Sequence, residues 1–341
     1  MRRGVKVIGG LVGWVGGTVA ALAAAVANLE PGVLGELRAQ AAAVVDRFQV
    51  PDVRAFIRAA ESLPDPGTRV VWRSKDRAKA FSDAEYQQLP EAHKADLTKR
   101  ECDASFYYQT GYGTPIIYAR PLELAARAGD GTIRGKKVLD FGYGMIGQLR
   151  MLASLGCDVQ GIEVEPLLRA LYSQPMDTGE IACGDGTKGR LTLHHARWPG
   201  EKADVVGGGH DLFITKNVLK RGYIHPERPA DERFLIKLGV PDDQFVRALH
   251  DTLKPGGIAI IYNISPAQNP DDKPFLPHAD PRCPFPRADL EKAGFEVVEY
   301  DADDSAFMRQ MWPTLGLTKP GEEADLDKSL FARYTLLRRT R

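Results

Sequence analysis

At 341 residues, 43% hydrophobic and 26% charged, the chain has the composition of a folded protein with room for one large domain and a smaller appendage, which excludes a fibre or a disordered polymer. Lysine plus arginine equals aspartate plus glutamate at 45 each, so no net field gathers nucleic acid or an acidic surface around the chain. Cys102, Cys157, Cys183 and Cys283 stand far apart, with no C-x-x-C pair and no histidine at a zinc-like spacing, and read as reduced thiols.

In chain order, Arg2, Arg3 and Lys6 precede an uncharged stretch, residues 7–29, that ends near the small residues Ala25 and Ala27. This is the layout of a secretory signal cleaved near Ala27 or of a single membrane anchor. Gly9, Gly10, Gly13, Gly16 and Gly17 keep the stretch only weakly hydrophobic, so a buried N-terminal helix is a third reading. Residues 30–135 read as a helical cap or lid. Pro51 opens a helix whose Val53, Phe56, Ile57, Ala60 and Leu63 recur at helical spacing, the PDPG run at 64–67 breaks it, and Ser82 with Glu85 forms a capping box for another short helix. No solenoid-length repeat and no low-complexity tract follows.

From residue 136 to the C-terminus, short β-branched runs alternate with helices, the signature of a parallel sheet covered on both faces. Seven strands are expected, at 137–141, 158–163, 191–195, 212–215, 258–264, 295–300 and 332–337, with helices at 146–155, 166–172, 242–253 and 287–293. The basic run Arg338, Arg339, Arg341 reads as a solvated tail.

The chemistry centres on the run DFGYGMIG at 140–147, where a buried strand ends at a tight turn and a helix begins. Gly142, Gly144 and Gly147 let a ligand approach the backbone. Alone, this fingerprint is shared with dinucleotide sites. Its context adds GIE at 161–163, HDLFITKN at 210–217 and LKPGG at 253–257. With these four motifs in order, over roughly 200 residues, the chain resembles the class I (seven-stranded, Rossmann-like) S-adenosylmethionine-dependent methyltransferases.

The resemblance implies a doubly wound, mostly parallel α/β sheet of strand order 3-2-1-4-5-7-6, with S-adenosyl-L-methionine as cofactor. It places Asp140 and Gly142 beside the methionine portion, Gly144 and Gly147 beside the ribose and amino-acid backbone, and Glu163 on the ribose diol, with Tyr143 in the same loop and Glu165 a weaker candidate. Two departures stand out. Ile146 replaces the usual third loop glycine, and strand three ends without an acid for the adenine amino group. Trp198 is then a candidate to stack on the base, or else a core anchor.

The aromatic run at 105–115 is read either as a fold over the cofactor, with tyrosine faces attracting the sulfonium and Thr110 taking the carboxylate, or as a packing cluster. Thr215 and Asn217 follow the fourth strand, where open parallel sheets place their ligands. Asn217 is the polar contact to cofactor or nucleophile, and Tyr223 and His225 are candidate bases. No metal constellation is visible, since His194 and His195 adjoin in a strand and point to opposite faces.

The expected reaction is in-line methyl transfer to a small-molecule acceptor, with no nucleic-acid partner. The alternative is an S-adenosylmethionine cyclase like the azetidine-2-carboxylate synthases, releasing methylthioadenosine, with Tyr107, Tyr108 or Asn217 orienting the attacking amine. A third reading is a membrane-tethered binding protein without chemistry. A cytosolic cofactor favours a cytoplasmic-facing protein, anchored or free, whereas the basic N-terminal flank favours an exported body. The sequence does not set the oligomeric state.

Overall fold

The computed structural model describes residues 32–318 and 325–340. The stretch at 7–29, with its signal or anchor reading, lies outside them. Among the described residues no helix is long and apolar enough to cross a membrane.

Two helices open the described chain, Val33–Val44 and Pro51–Arg58. The second starts at its proline, which needs no N–H partner at that position, and buries Val53, Phe56 and Ile57, the expected stripe. Next comes a departure from the all-helical cap. Strands β1 (Arg69–Ser74), β2 (Ala80–Ser82) and β3 (Leu97–Cys102) form an antiparallel sheet in the order β2-β1-β3. Between β2 and β3, Ser82 and Glu85 close the expected capping box on the helix Asp83–Gln87.

The main sheet contains β4 (Lys137–Phe141), β5 (Asp158–Glu163), β6 (Gly179–Ala182), β7 (Lys188–His195), β8 (His210–Lys216), β9 (Leu253–Ser265), β10 (Phe295–Asp303) and β11 (Phe331–Arg339). Their order is β10-β11-β9-β8-β4-β5-β7-β6. β4, β5, β7, β8 and β9 are parallel to one another, and β11 runs antiparallel between β9 and β10. All seven expected strands are present in the order 3-2-1-4-5-7-6, and β6 adds an eighth, paired antiparallel on the β7 edge. The LKPGG run is not a turn preceding β9. It lies within the strand as an irregular start, where His210 pairs with Leu253 and Leu212 with Ile258. The basic C-terminal run is likewise no free tail, because Arg338 and Arg339 belong to β11 and Arg338 donates to Ala128 O at 2.6 Å and pairs with Glu296 at 2.5 Å.

Strand alternation divides the interior into two cores. Val138, Leu212, Ile214, Ile258, Ile260 and Tyr262 face one side, packed with the cap's Leu37, Val44, Phe56 and Ile57. Leu139, Phe213, Ala259 and Ile261 face the other, packed with Phe245 and Leu249 from the helix Asp242–Thr252 and with Phe285. The sequence direction reverses at β4, which has β5 on one side and β8 on the other. That switch point opens a crevice beyond the carboxyl ends of the strands.

Candidate active site

A cavity of about 720 Å³ occupies this crevice. Phe141 and Gly142 from β4 and its loop, Glu163 from β5, Ala196 after β7 and Lys216 from β8 line it, so its floor is the row of parallel strand ends. This volume falls within the range of small-molecule sites.

The glycine loop is shaped by its neighbours. Gly142 has φ of 69°, and a Cβ there would stand 2.5 Å from Val218 Cγ2. Gly144 has φ of 62° and lies under the ring of Tyr112, which is 59% exposed at the cavity mouth. Both conformations favour glycine. Gly147 is different, because it does not line the cavity. A Cβ on it would stand 2.9 Å from Pro115 Cβ and Cγ, so packing against the preceding segment by itself requires glycine here.

Glu163 is held by backbone donors. Its Oε1 accepts from Val164 N at 2.7 Å and Glu165 N at 3.2 Å, and its Oε2 from Gly144 N at 3.3 Å. Burial pushes its carboxyl above the usual range, and these N–H groups oppose the shift. The result is a fixed carboxylate at the cavity wall, next to the loop. Glu165 also lines the wall, but its Oε1 is tied to Arg73 of β1 at 2.7 Å and to Leu167 N.

Tyr143 lines the cavity, its ring tilted 6.2 Å from that of Tyr172. Asp140 lies behind the loop, fully buried, with Oδ2 accepting from Gln148 Nε2 at 3.0 Å, and burial pushes its carboxyl up to about 7. Thr110, expected on a cofactor carboxylate, instead donates from Oγ1 to Gly144 O at 2.7 Å and fastens the cap to the glycine loop. Thr215 is fully buried in β8 and does not reach the cavity.

Of the expected catalytic residues, Asn217 and Tyr223 line the cavity. Asn217 adopts a left-handed φ of 64°, and its Oδ1 accepts from Ile264 N at 2.6 Å, which fixes the ends of β8 and β9, while its Nδ2 makes no hydrogen bond among the described residues. Three others stand elsewhere. Tyr107 donates to Asp177 Oδ1 at 2.6 Å and Tyr108 to Pro64 O at 2.5 Å, both buried under the cap. His225 shares a 2.6 Å contact with Asp242 outside the cavity. Their positions follow from partners distant in sequence, Asp177 and Asp242, which no local pattern announces.

Trp198 is 2% exposed, donates to Ala203 O at 3.0 Å and packs edge-on against Phe141 and Phe245, so it is chiefly a core anchor that also lines the cavity. The loop at 232–238 closes the wall beside it with Phe234, Ile236 and Leu238, and Arg197 stands at the end of β7. None of these was expected. Tyr118 and Lys216 were missed as well. Lys216 ends β8 at 6% exposure, with Nζ 5.4 Å from the centroid of the Tyr118 ring. Burial pulls its ammonium down to about 8, against the upward pull of Asp140. A lysine ending an apolar strand was the available signal.

No protein-family model and no curated protein matches the chain. Among solved structures it is similar to an S-adenosylmethionine-dependent methyltransferase from Mesorhizobium loti (16% identity, 61% of this chain and 92% of that one, TM-score 0.33). It is similar also to magnesium protoporphyrin IX methyltransferase from Synechocystis with bound S-adenosylmethionine (15% identity, 69% and 94%, TM-score 0.33). A third similarity is to the [4+2]-cyclase SpnF (16% identity, 65% and 80%, TM-score 0.39). By its own strand order, this chain has the fold of the class I S-adenosylmethionine-dependent methyltransferases.

Proposed function

We propose that the chain binds S-adenosyl-L-methionine in the crevice and directs its methyl group to a small-molecule acceptor. The observation that carries this reading is the pairing, at the switch point, of the glycine loop with a carboxylate fixed at the end of the adjacent strand. The residues fit the cofactor. Glu163 offers acceptor oxygens for a ribose diol, and charge-assisted hydrogen bonds of this kind are about twice as strong as neutral ones. Trp198, Ile236 and Leu238 offer an apolar wall for a base. Tyr112, Tyr118 and Tyr223 supply aromatic surface for a cationic sulfur, worth about 0.5–2 kcal/mol according to burial.

When bound, the cofactor supplies an activated methyl group, which an acceptor nucleophile takes by in-line displacement at carbon while the C–S electron pair stays on sulfur. The chain's own contribution is alignment and exclusion of water. Tyr112 covers the loop, Thr110 locks that cover to the Gly144 carbonyl, and Asn217 and Tyr223 present polar groups where the acceptor would stand. The balanced charge of the chain supports a small acceptor over a polynucleotide.

Calorimetry with S-adenosylmethionine and S-adenosylhomocysteine tests the reading. Both should bind the wild type, and Glu163→Gln should weaken them by about tenfold. Absence of binding, or a Glu163 variant with unchanged affinity, would overturn it. Incubation with the cofactor and no acceptor should release no methylthioadenosine at an enzyme-dependent rate. Release would replace methyl transfer by intramolecular cyclisation, a reading that loses Tyr107 and Tyr108 as amine-orienting groups because both lie outside the cavity.

A further inference from the structure

The features of the crevice fall in strand order. Arg197 follows β7, Glu163 ends β5, Gly142 and Gly144 follow β4, and Lys216 ends β8. Neighbouring strands are about 4.8 Å apart, so the row from β7 to β8 spans roughly 14 Å, the length of an extended ligand in three parts. With a ribose at Glu163, the base falls on the β7 side, against Trp198 and Leu238. The amino-acid tail then crosses the glycine loop and ends over β8.

What stands there is a cation without a hydrogen bond. Lys216 lines the cavity but makes no hydrogen bond among the described residues, and its Nζ stands 5.4 Å from the centroid of the Tyr118 ring. Lys220, four residues on and equally buried, shows the contrast, because its Nζ donates to Ile264 O at 2.6 Å and His278 O at 2.9 Å. A buried ammonium that lacks acceptors is costly to keep, and an anionic oxygen placed against it removes the cost. The cavity's own carboxylates do not serve: Glu163 is bound by three backbone N–H groups, Glu165 by Arg73, and Glu232 is exposed to solvent in the loop at 232–238. Asp140, which does not line the cavity, contributes a negative charge from behind the loop, with Oδ2 bonded to Gln148 and Oδ1 without a hydrogen bond among the described residues.

We propose that Lys216 receives the α-carboxylate of the cofactor's methionine tail, a positioning role that fixes where the sulfonium stands relative to the acceptor. This rests on the cofactor reading above. In it Lys216 donates one or more charge-assisted hydrogen bonds to the carboxylate, the Tyr118 ring supports the ammonium, and the pair marks the tail end of the ligand as Glu163 marks its middle.

The test compares three ligands by calorimetry on the full chain: S-adenosylhomocysteine, its α-carboxamide, and methylthioadenosine, which lacks the tail. Wild type should prefer the acid over the amide by about tenfold or more. In Lys216→Met that preference should collapse to within about twofold, while methylthioadenosine binds as in wild type and so reports an intact fold. A Lys216→Met protein that keeps the full acid preference overturns the proposal. So does a wild type that binds acid and amide equally, a measurement that needs no variant to fold. A wild type that binds none of the three is a different result, and it removes the cofactor reading itself.

Discussion

Replacement of Asp177 by alanine should unlatch the cap. Asp177 is fully buried and accepts from Arg69 Nη2 at 3.1 Å, Tyr107 OH at 2.6 Å and Gln174 N at 2.8 Å. Arg69, 3% exposed, pairs with no other carboxylate among the described residues, stands 5.4 Å from the centroid of the Tyr107 ring, and has its Nε and Nη1 already unbonded. Truncation leaves a buried guanidinium uncompensated, which costs about 3–5 kcal/mol. For a chain of this size, at roughly 2 °C per kcal/mol, the melting temperature should fall by about 6–10 °C. Urea denaturation followed by far-UV circular dichroism measures the free energy directly, and Arg69→Met combined with Asp177→Leu should recover part of the loss, because the apolar pair leaves no charge behind while Tyr107 OH and Gln174 N still lack their acceptor. A single variant within about 1 kcal/mol of wild type, or a double variant no better than the single, would refute the claim that this ion pair clamps β1 to the main domain.

Two further outcomes are expected. His210 is fully buried, with Nδ1 3.2 Å from Thr252 O, and burial pulls its imidazolium down to about 4. The unfolded chain, with a histidine near 6.5, therefore binds more protons between those values, so this contribution is present at pH 7 and is lost as pH falls toward 4, by about 3 kcal/mol. His210→Gln should flatten the pH dependence of the urea midpoint across that window, and an unchanged slope would contradict the assignment. Gly147→Ala should destabilise by about 1–3 kcal/mol through collision with the rigid Pro115 ring, with S-adenosylhomocysteine affinity of the folded protein kept within about twofold. A binding loss without a stability loss would return Gly147 to the ligand.

The main sheet was legible because its strands are apolar runs between helix-stop residues, and because β4, β5 and β8 end on motifs whose order fixes the topology. The cap sheet was not. β3 exposes Thr98, Lys99, Arg100 and Glu101 in succession, and β2 has three residues, so neither shows the alternation that marks a half-buried strand. Both exist because β1 pairs with them. At the site, Glu163 and the first two loop glycines could be placed from their motifs, since strand ends at a switch point face one crevice. Tyr107, Tyr108 and Thr110 could not, because their directions are set by Asp177, Pro64 and the Gly144 carbonyl.

The additional strand β6 also bears on how copies of the chain meet one another. Without it, the eight residues of β7 would offer a long free ladder to a second sheet. With it, that side of the sheet ends in four residues whose Glu180 pairs outward with Lys188. The opposite side ends in β10, whose pairing with β11 slips twice, between Val297 and Glu299 and between Glu299 and Ala302, and which turns Glu296 and Glu299 to solvent. Shortness and charge on one side, irregular register and charge on the other, are the means by which sheet proteins avoid joining edge to edge. Both sides of this sheet therefore disfavour polymerisation by strand addition.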